Sequence, residues 1–232
     1  MQLTHADVAE AYAGFVAELR QQPTHDATAH RAVELARKLF TCSGAAIWVM
    51  GGRRMPIAQA STDPDLVAGI RDNVPDRRQG VAWACLTDNH VVRVDDFHDD
   101  PRWPDLAATI RDKTSLRSAI GYPLTVARES FGALVIYSDV PGEFGGETSL
   151  LGATFAIHLS LALQSARATE RVTHLEQALL TNRRIGTAIG ILMAHHRVTE
   201  EHAFDLLRTS SQRENVKLAA IAERVVHTGG LS

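Results

Sequence analysis

Residues 181–230 read TNRRIGTAIGILMAHHRVTEEHAFDLLRTSSQRENVKLAAIAERVVHTGG, and the spacing of apolar residues predicts three short helices in tandem. On a helix over 182–195, Ile185, Ala188, Ile189, Leu192 and Met193 share one face. Gly186 and Gly190 sit four apart on it. A helix-interior glycine costs about 1 kcal/mol relative to alanine, so the pair implies a neighbouring backbone at close range. Thr199 is placed to cap the second helix, with Glu200 and Glu201 in its first turn, where acids are favoured. That helix is predicted to bury Ala203, Phe204 and Leu207. Asn215 is placed to cap the third, which is predicted to bury Leu218, Ile221, Ala222, Val225 and Val226 before Gly229-Gly230 ends it. No strand pattern or catalytic constellation interrupts the stretch, and basic residues are scattered outside its apolar faces.

The charge of the whole chain hides an asymmetry. The 232 residues carry a formal charge of −3. Residues 181–232 hold seven Lys/Arg against five Asp/Glu, which leaves 17 against 22 in the remainder. A positive tail on a negative body is compatible with a polyanionic partner at the tail. An apolar fraction of 45% and a charged fraction of 22% are ordinary for a globular protein. No stretch approaches the ~20 uninterrupted apolar residues of a membrane span. The opening MQLTHADVAE lacks a basic region followed by an apolar run, so no signal peptide is expected and the cytoplasm is the expected compartment. Two cysteines, Cys42 and Cys85, are too few for a disulfide framework and lack metal-site spacing.

Upstream, the patterning changes several times. Residues 4–21 predict an amphipathic helix through Val8, Ala11, Tyr12, Phe15, Val16 and Leu19, ended by Pro23. A second helix spans roughly 25–40. The runs AAIWVM (45–50) and MPIAQAS (55–61) read as a hairpin, and short helices follow at 64–72 and 79–88. VVRVDD (91–96) predicts a strand, 104–113 a helix, and SAIGYPLTV (118–126) with FGALVIYSD (131–139) the strongest strand pair. About five strands with helices at both ends make an α+β or α/β sheet domain ending near residue 145. From Glu147 to about Asn182 the pattern is helical throughout. Its later part keeps a seven-residue rhythm in which Ala168, Val172, Leu175, Leu179 and Asn182 occupy coiled-coil positions. A homodimer through Val172, Leu175, Leu179 and Asn182 is the expectation. A monomeric helix covering its own sheet is the alternative.

Taken together, the elements at the C-terminus resemble the ANTAR domain, the RNA-binding output of AmiR/NasR-type transcription antitermination regulators. The resemblance rests on Arg183 with Ile185, the run Ala188–Met193, and the Thr199, Ala203, Phe204, Leu207, Arg208 pattern. Ser211-Gln212, Asn215, Leu218 and Ala222 extend it. One departure is Ile189, where the family often has lysine, which removes one phosphate contact. The region before it is similar to a GAF domain, a small-ligand sensory fold, and the resemblance implies an α+β class with an antiparallel sheet flanked by helices, linked by a long helix to the three-helix end. The residues that carry this are Gly80-Val81-Ala82, Val91–Asp95, Arg117-Ser118, Pro123-Leu124, Gly132-Ala133-Leu134 and Tyr137-Ser138. The expected organisation is an N-terminal helix at 1–24, a GAF-like sensory domain at 25–165, a coiled-coil linker helix at 166–182 and an ANTAR-like three-helix domain at 183–230.

The resemblance implies a signal-responsive regulator that binds RNA carrying tandem stem-loops in nascent transcripts and prevents termination. Arg183, Arg184, Arg208, Arg213 and Lys217 are the candidate backbone contacts, with Asn215 a base reader or a helix cap. Trp48, Trp83, Phe97, Tyr122 and Tyr137 are candidates to line a pocket for a small molecule, and also read as plain core. His195-His196 point about 100° apart on a helix and suit its C-terminus better than a metal. The acids and histidines around residues 90–100 read as an exposed loop. No metal, cofactor, catalytic residue or membrane contact is expected. The alternative function is a small-ligand-binding or enzymatic GAF protein whose helical tail only dimerises.

Overall fold

A computed structural model describes residues 14–231. The chain divides into two compact units, one running to Ala168 and the other from Thr169. In the first unit, residues 14–20 are helical (α1), and α2 spans His25–Leu39. The predicted positions Val8, Ala11 and Tyr12 lie outside the described residues. Thr24 caps α2 by accepting from the Ala27 amide at 3.1 Å. Strands β1 (Gly44–Met50) and β2 (Pro56–Ser61) form the expected hairpin, and α3 (Pro64–Asn73) begins behind an Asp63 cap. Then come α4 (Val81–Asp88), β3 (Val92–Val94), α5 (Pro104–Lys113), β4 (Ser118–Val126) and β5 (Glu129–Ser138).

The five strands lie in the order β2-β1-β5-β4-β3, and every neighbouring pair is antiparallel. The period-2 alternation of side chains gives the sheet two buried faces. Ile47, Ile120, Tyr122, Leu124, Leu134 and Ile136 pack on one side with α2 and the next helix, α6. Ala46, Ala119, Ala133, Val135 and Tyr137 pack on the other with α3, α4 and α5. β3 is shorter than the sequence predicts. Past Val94, the Asp96 carboxylate turns to Arg117 at the start of β4, which holds the following loop in place of a continued ladder.

Helix α6 spans Gly146–His196, 51 residues without a break. The sequence reading places a helix boundary near Asn182; the structure has none there. Gly186 and Gly190 meet no close neighbour, since a β-carbon added at either would find nothing within 4 Å. The close approach inferred for them is absent. Gly152 is the helical glycine with a packing role: a β-carbon there would overlap the ring and hydroxyl of the fully buried Tyr122. Part of α6 is apolar enough by composition to resemble a membrane span. Much of that surface, including Phe155, Leu159 and Leu163, lies against the sheet. In the first unit, Leu150, Ile157 and Leu161 remain exposed on α6.

In the second unit, the end of α6 packs with α7 (Glu200–Glu214) and α8 (Leu218–Thr228). Ala188, Leu192, Ala203, Leu207, Ile221, Ala222 and Val225 make a continuous buried core. Val172, Leu175 and Leu179 lie outside it on α6, exposed to 54%, 60% and 69%. Asn182 is exposed as well.

Candidate functional site

Two features stand out, one in each unit: a basic three-helix surface and a cavity beside the sheet. The turns of the three-helix unit are set by local chemistry. α6 stops at Arg197, which adopts a left-handed conformation at φ 53°. Thr199 caps α7, its hydroxyl accepting from the His202 amide at 3.4 Å, with Glu200 and Glu201 in the first turn. Asn215 does not cap α8 as the sequence suggests. It ends α7 in the left-handed region at φ 53°, a conformation asparagine tolerates better than most residues. Ser211 Oγ then donates to the Val216 carbonyl at 2.6 Å, closing the turn. Lys217 occupies the N-cap of α8 with no side-chain capping bond, and Gly229 ends that helix at φ 80°.

The six predicted RNA contacts divide by their neighbours. Arg183 and Lys217 are exposed and make no ion pair among the described residues. On α6 Arg183 stands about half a turn from the buried Leu192, so it faces outward. Arg184, one position on, reaches Glu223 of α8 at 3.4 Å. Arg208 pairs with Asp205 on its own helix at 2.9 Å, and Arg213 with Glu214 at 3.4 Å. All three pairs are largely exposed, where an ion pair contributes about 0.2–1 kcal/mol and gives way readily to a phosphate. Glu214 is held more firmly by Arg224 at 2.7 Å, and that arginine keeps its carboxyl below the usual range.

Three residues placed on the apolar faces of this unit are exposed, while Ile185, Ile189 and Leu218 are partly buried. Phe204 is 39% exposed, and Met193 and Val226 are also partly open. α7 turns Ala203, Leu207 and Ser210 inward, and Phe204, about 100° round the helix from Ala203, stands at the edge of that face. Phe204 and Arg208 are four apart and share one face of α7. Ile189, standing where the family often has lysine, is half-buried against the same core.

In the first unit, α3, α4, α5 and the sheet line a half-open cavity of about 120 Å³. Trp48, Phe97 and Tyr137 line it, as does Gly80 at the start of α4. Tyr122 and Trp83, also predicted for a pocket, do not. Tyr122 sits one register step away on the opposite sheet face, where its hydroxyl donates to the Thr148 carbonyl at 3.4 Å. Trp83 is turned away on α4, which directs Val81, Ala84 and Cys85 inward. The sequence reading missed Arg71, Arg77 and Gln79, which line the cavity from α3 and the loop after it. Arg77 and Gln79 carry only the signal of a position between α3 and the Gly80 turn, and Arg71 lies within α3 itself.

The remaining candidates are structural. Arg117 chelates the Asp96 carboxylate through Nε at 3.0 Å and through its terminal nitrogen, and holds that carboxyl down at about 2. Arg102 similarly holds Asp100 and lies 4.7 Å over the Trp103 ring. Burial pushes the Cys42 thiol up to about 11 and the Cys85 thiol to about 12, so neither is a thiolate near neutral pH. Among the described residues, no group of three or more His, Cys, Asp or Glu is placed to hold a metal ion.

Comparison with known proteins gives these features a family. The GAF-domain profile matches residues 22–164 and the ANTAR-domain profile residues 173–226. No curated protein sequence matches the chain. Among solved structures, the chain is similar to the GAF domain of a phosphoenolpyruvate-protein phosphotransferase from Acinetobacter (14% identity, TM-score 0.56, covering 73% of this chain and 99% of that one). It is also similar to free methionine-R-sulfoxide reductase from Neisseria meningitidis (16% identity, TM-score 0.59, 73% and 95% covered). The GAF domain of the Coxiella burnetii phosphoenolpyruvate-protein phosphotransferase is a third (16% identity, TM-score 0.58, 72% and 98% covered). At such identities the likeness establishes the fold alone. GAF followed by ANTAR is the architecture of signal-responsive transcription antitermination regulators that act on RNA, a regulatory and non-catalytic class. The chain belongs to the GAF family and carries a C-terminal ANTAR domain.

Proposed function

We propose that this protein is a cytoplasmic regulator that binds tandem stem-loops in nascent transcripts and prevents a competing terminator from forming. The observation that carries the reading is the ANTAR match over 173–226, on a three-helix unit whose cations stand outside its core. Arg183, Arg208, Arg213 and Lys217 fix the RNA backbone, and Arg184 joins them when Glu223 releases it. Asn215, held at the α7 turn, presents its amide to a base edge. Phe204 beside Arg208 offers an unpaired loop base an aromatic face and a guanidinium plane, the pairing by which single-stranded RNA is held. A second copy of the chain pairs along α6 through Val172, Leu175, Leu179 and Asn182, so that two ANTAR domains meet two stem-loops. A small molecule in the cavity lined by Trp48, Phe97 and Tyr137 supplies the signal.

Filter binding of an RNA with two adjacent stem-loops, over a range of salt, tests this. Binding should weaken steeply with salt. The double change Arg183→Ala and Arg208→Ala should lower affinity at least tenfold and reduce the logarithmic salt slope by about 1.5, as expected for two lost phosphate contacts. Absence of salt-sensitive binding across such RNAs, with the fold retained, would leave the alternative of a ligand-binding GAF protein whose tail only dimerises.

A further inference from the structure

Every residue from Arg171 to Leu180 is exposed, so about three turns of α6 in the second unit stand clear of the rest of the chain. An isolated helix shorter than about 12–15 residues is marginal in water, and packing normally supplies what propensity does not. This stretch nevertheless carries Val172, Leu175 and Leu179 in one exposed stripe. A uniformly polar helix can stand in solvent; an apolar stripe on one marks the face that a partner covers.

The residues beside the stripe identify the partner and its direction. Arg171 precedes Val172 on one flank, and Glu176 follows Leu175 on the other. In the heptad set by Val172 and Leu175, these are the positions that bridge two parallel helices, where a side chain of one helix meets the side chain five residues further on in the other. Arg171 and Glu176 are five apart. Neither makes an ion pair among the described residues. Two copies laid parallel and in register therefore form the Arg171–Glu176 pair twice, once on each flank. Asn182 then faces Asn182 of the second copy. A carboxamide both donates and accepts, so the two satisfy each other.

Reversing one helix removes both gains. The antiparallel overlap that keeps Leu175 against Leu179 sets Glu176 against Glu176 of the second copy and Asn182 against Val172. That is a like-charge contact and an amide left unmet beside apolar side chains. A stagger of one heptad relieves the charges but sets Leu179 opposite an alanine, Ala168. We infer that α6 pairs with a second copy of itself in parallel and in register, and that Arg171, Glu176 and Asn182 select this arrangement. The stripe, the charges and the amide are each complementary to themselves, which is why the partner is a second copy. The orientation rests on the dimer reading of the same stripe and adds a consequence to it. Both three-helix units follow from one end of the helix pair and meet one RNA together, where reversed helices would send them to opposite ends.

Disulfide exchange on the full chain in a glutathione buffer tests the direction. Cys42 and Cys85 are buried and stay out of the exchange. Tagged Leu175→Cys is mixed with untagged Leu179→Cys. A parallel pair in register joins like with like, and the antiparallel pair joins the two variants to each other. Like-with-like dimers should exceed mixed ones at least tenfold. Charge reversal tests the selecting residues. Arg171→Glu and Glu176→Arg should each raise the dimer dissociation constant about thirtyfold, because two attractive exposed pairs become two repulsive ones. The double reversal should return it to within about threefold of the wild type. Both side chains are exposed, and circular dichroism confirms that the helix persists in each variant. Mixed disulfides as the main product, or a double reversal no better than the single ones, overturns the inference while the dimer and its RNA binding stand. A wild-type chain that stays monomeric at tens of micromolar removes the dimer reading and the orientation with it.

Discussion

Replacing Leu175 by aspartate should convert a dimer of this chain into monomers. Val172, Leu175 and Leu179 are exposed to between 54% and 69% although α6 is regular through them, and their spacing of three and four residues puts them in one stripe. Full burial of such a side chain is worth about 1.5–3 kcal/mol, so covering what is exposed here yields about 1–2 kcal/mol each. Three positions in each of two copies give roughly 6–12 kcal/mol. Association costs about 4–15 kcal/mol in lost freedom, so the pairing along this stripe is modest and sensitive to single changes. Leu175→Asp removes the leucine contribution from both copies and sets two carboxylates against each other. A loss of about 4 kcal/mol or more follows, which raises the dissociation constant about a thousandfold. Sedimentation velocity over a dilution series reads this directly, with circular dichroism to confirm that α6 persists. Gln177→Asp, on the opposite side of the same helix, should leave the dimer intact. An unchanged sedimentation profile for Leu175→Asp, or a wild-type chain that is monomeric at tens of micromolar, refutes the reasoning.

Four further outcomes follow from the geometry. The Asp96 carboxyl, held at about 2 by Arg117, lends stability that is present above pH 4 and is lost as the pH falls through 2. Asp96→Asn should therefore cost about 1–2 kcal/mol at pH 7, and the difference from wild type should vanish in acid melts. The β4–β5 turn places Ala127 at φ 47° and Arg128 at φ 70°, where non-glycine residues are strained by about 1–2 kcal/mol each. Ala127→Asn with Arg128→Gly suits a two-residue hairpin turn and should raise the first unit's melting temperature by a few degrees. Gly152→Ala gains about 1 kcal/mol of helix propensity but forces Tyr122 aside, at an overpacking cost of about 1–3 kcal/mol. The net loss should shrink when Tyr122→Phe removes the hydroxyl, in a double-mutant cycle by urea unfolding. Phe204→Ala should lower affinity for an RNA with an unpaired loop by about 1–3 kcal/mol while leaving binding to a fully paired stem unchanged, measured by fluorescence anisotropy.

The strands and most helices were legible because each rests on local rules. Alternation in SAIGYPLTV and FGALVIYSD marks β4 and β5, while Pro64 and Pro104 each stand at a helix start. The joints were less legible. Asn215 has the chemistry of both a cap and a left-handed turn, and only the path of the chain from α7 to α8 chooses between them. The helix boundary expected near Asn182 fails because two glycines further on are tolerated in an exposed helix that tertiary packing holds on one side. Phe204 reads as core by period, but the inward face of α7 centres on Ala203, Leu207 and Ser210, which leaves Phe204 at its edge. Aromatic residues pointed to the cavity only in part. Alternation along β4 sends Tyr122 to one face of the sheet, and alternation along β5 sends Tyr137 to the other. Arg71 and Arg77 carry no pattern that marks them as lining the cavity, since that lining arises from α3, α4 and α5 meeting over the sheet.

The placement of the cavity limits how strongly it can act. Val135 and Tyr137 face it from β5, while Leu134 and Ile136 of the same strand pack on the side where Phe155 and Leu159 of α6 lie. An occupant is thus one strand's thickness from the helix that carries the exposed Val172, Leu175 and Leu179. It can bias that helix only by its difference in affinity for two arrangements. At one hundred times its dissociation constant, a ligand that binds one arrangement alone contributes about 2.7 kcal/mol. Moving a population from 1:99 to 99:1 needs about 5.5 kcal/mol. At that saturation a small molecule in the cavity therefore cannot invert a strongly biased equilibrium. It can decide one that is already near balance, and the pairing proposed along the stripe on α6, whose apolar gain lies within the range of the cost of association, would be such an equilibrium. A stronger interface would not respond to the ligand, and a weaker one would not bring two ANTAR domains to one RNA.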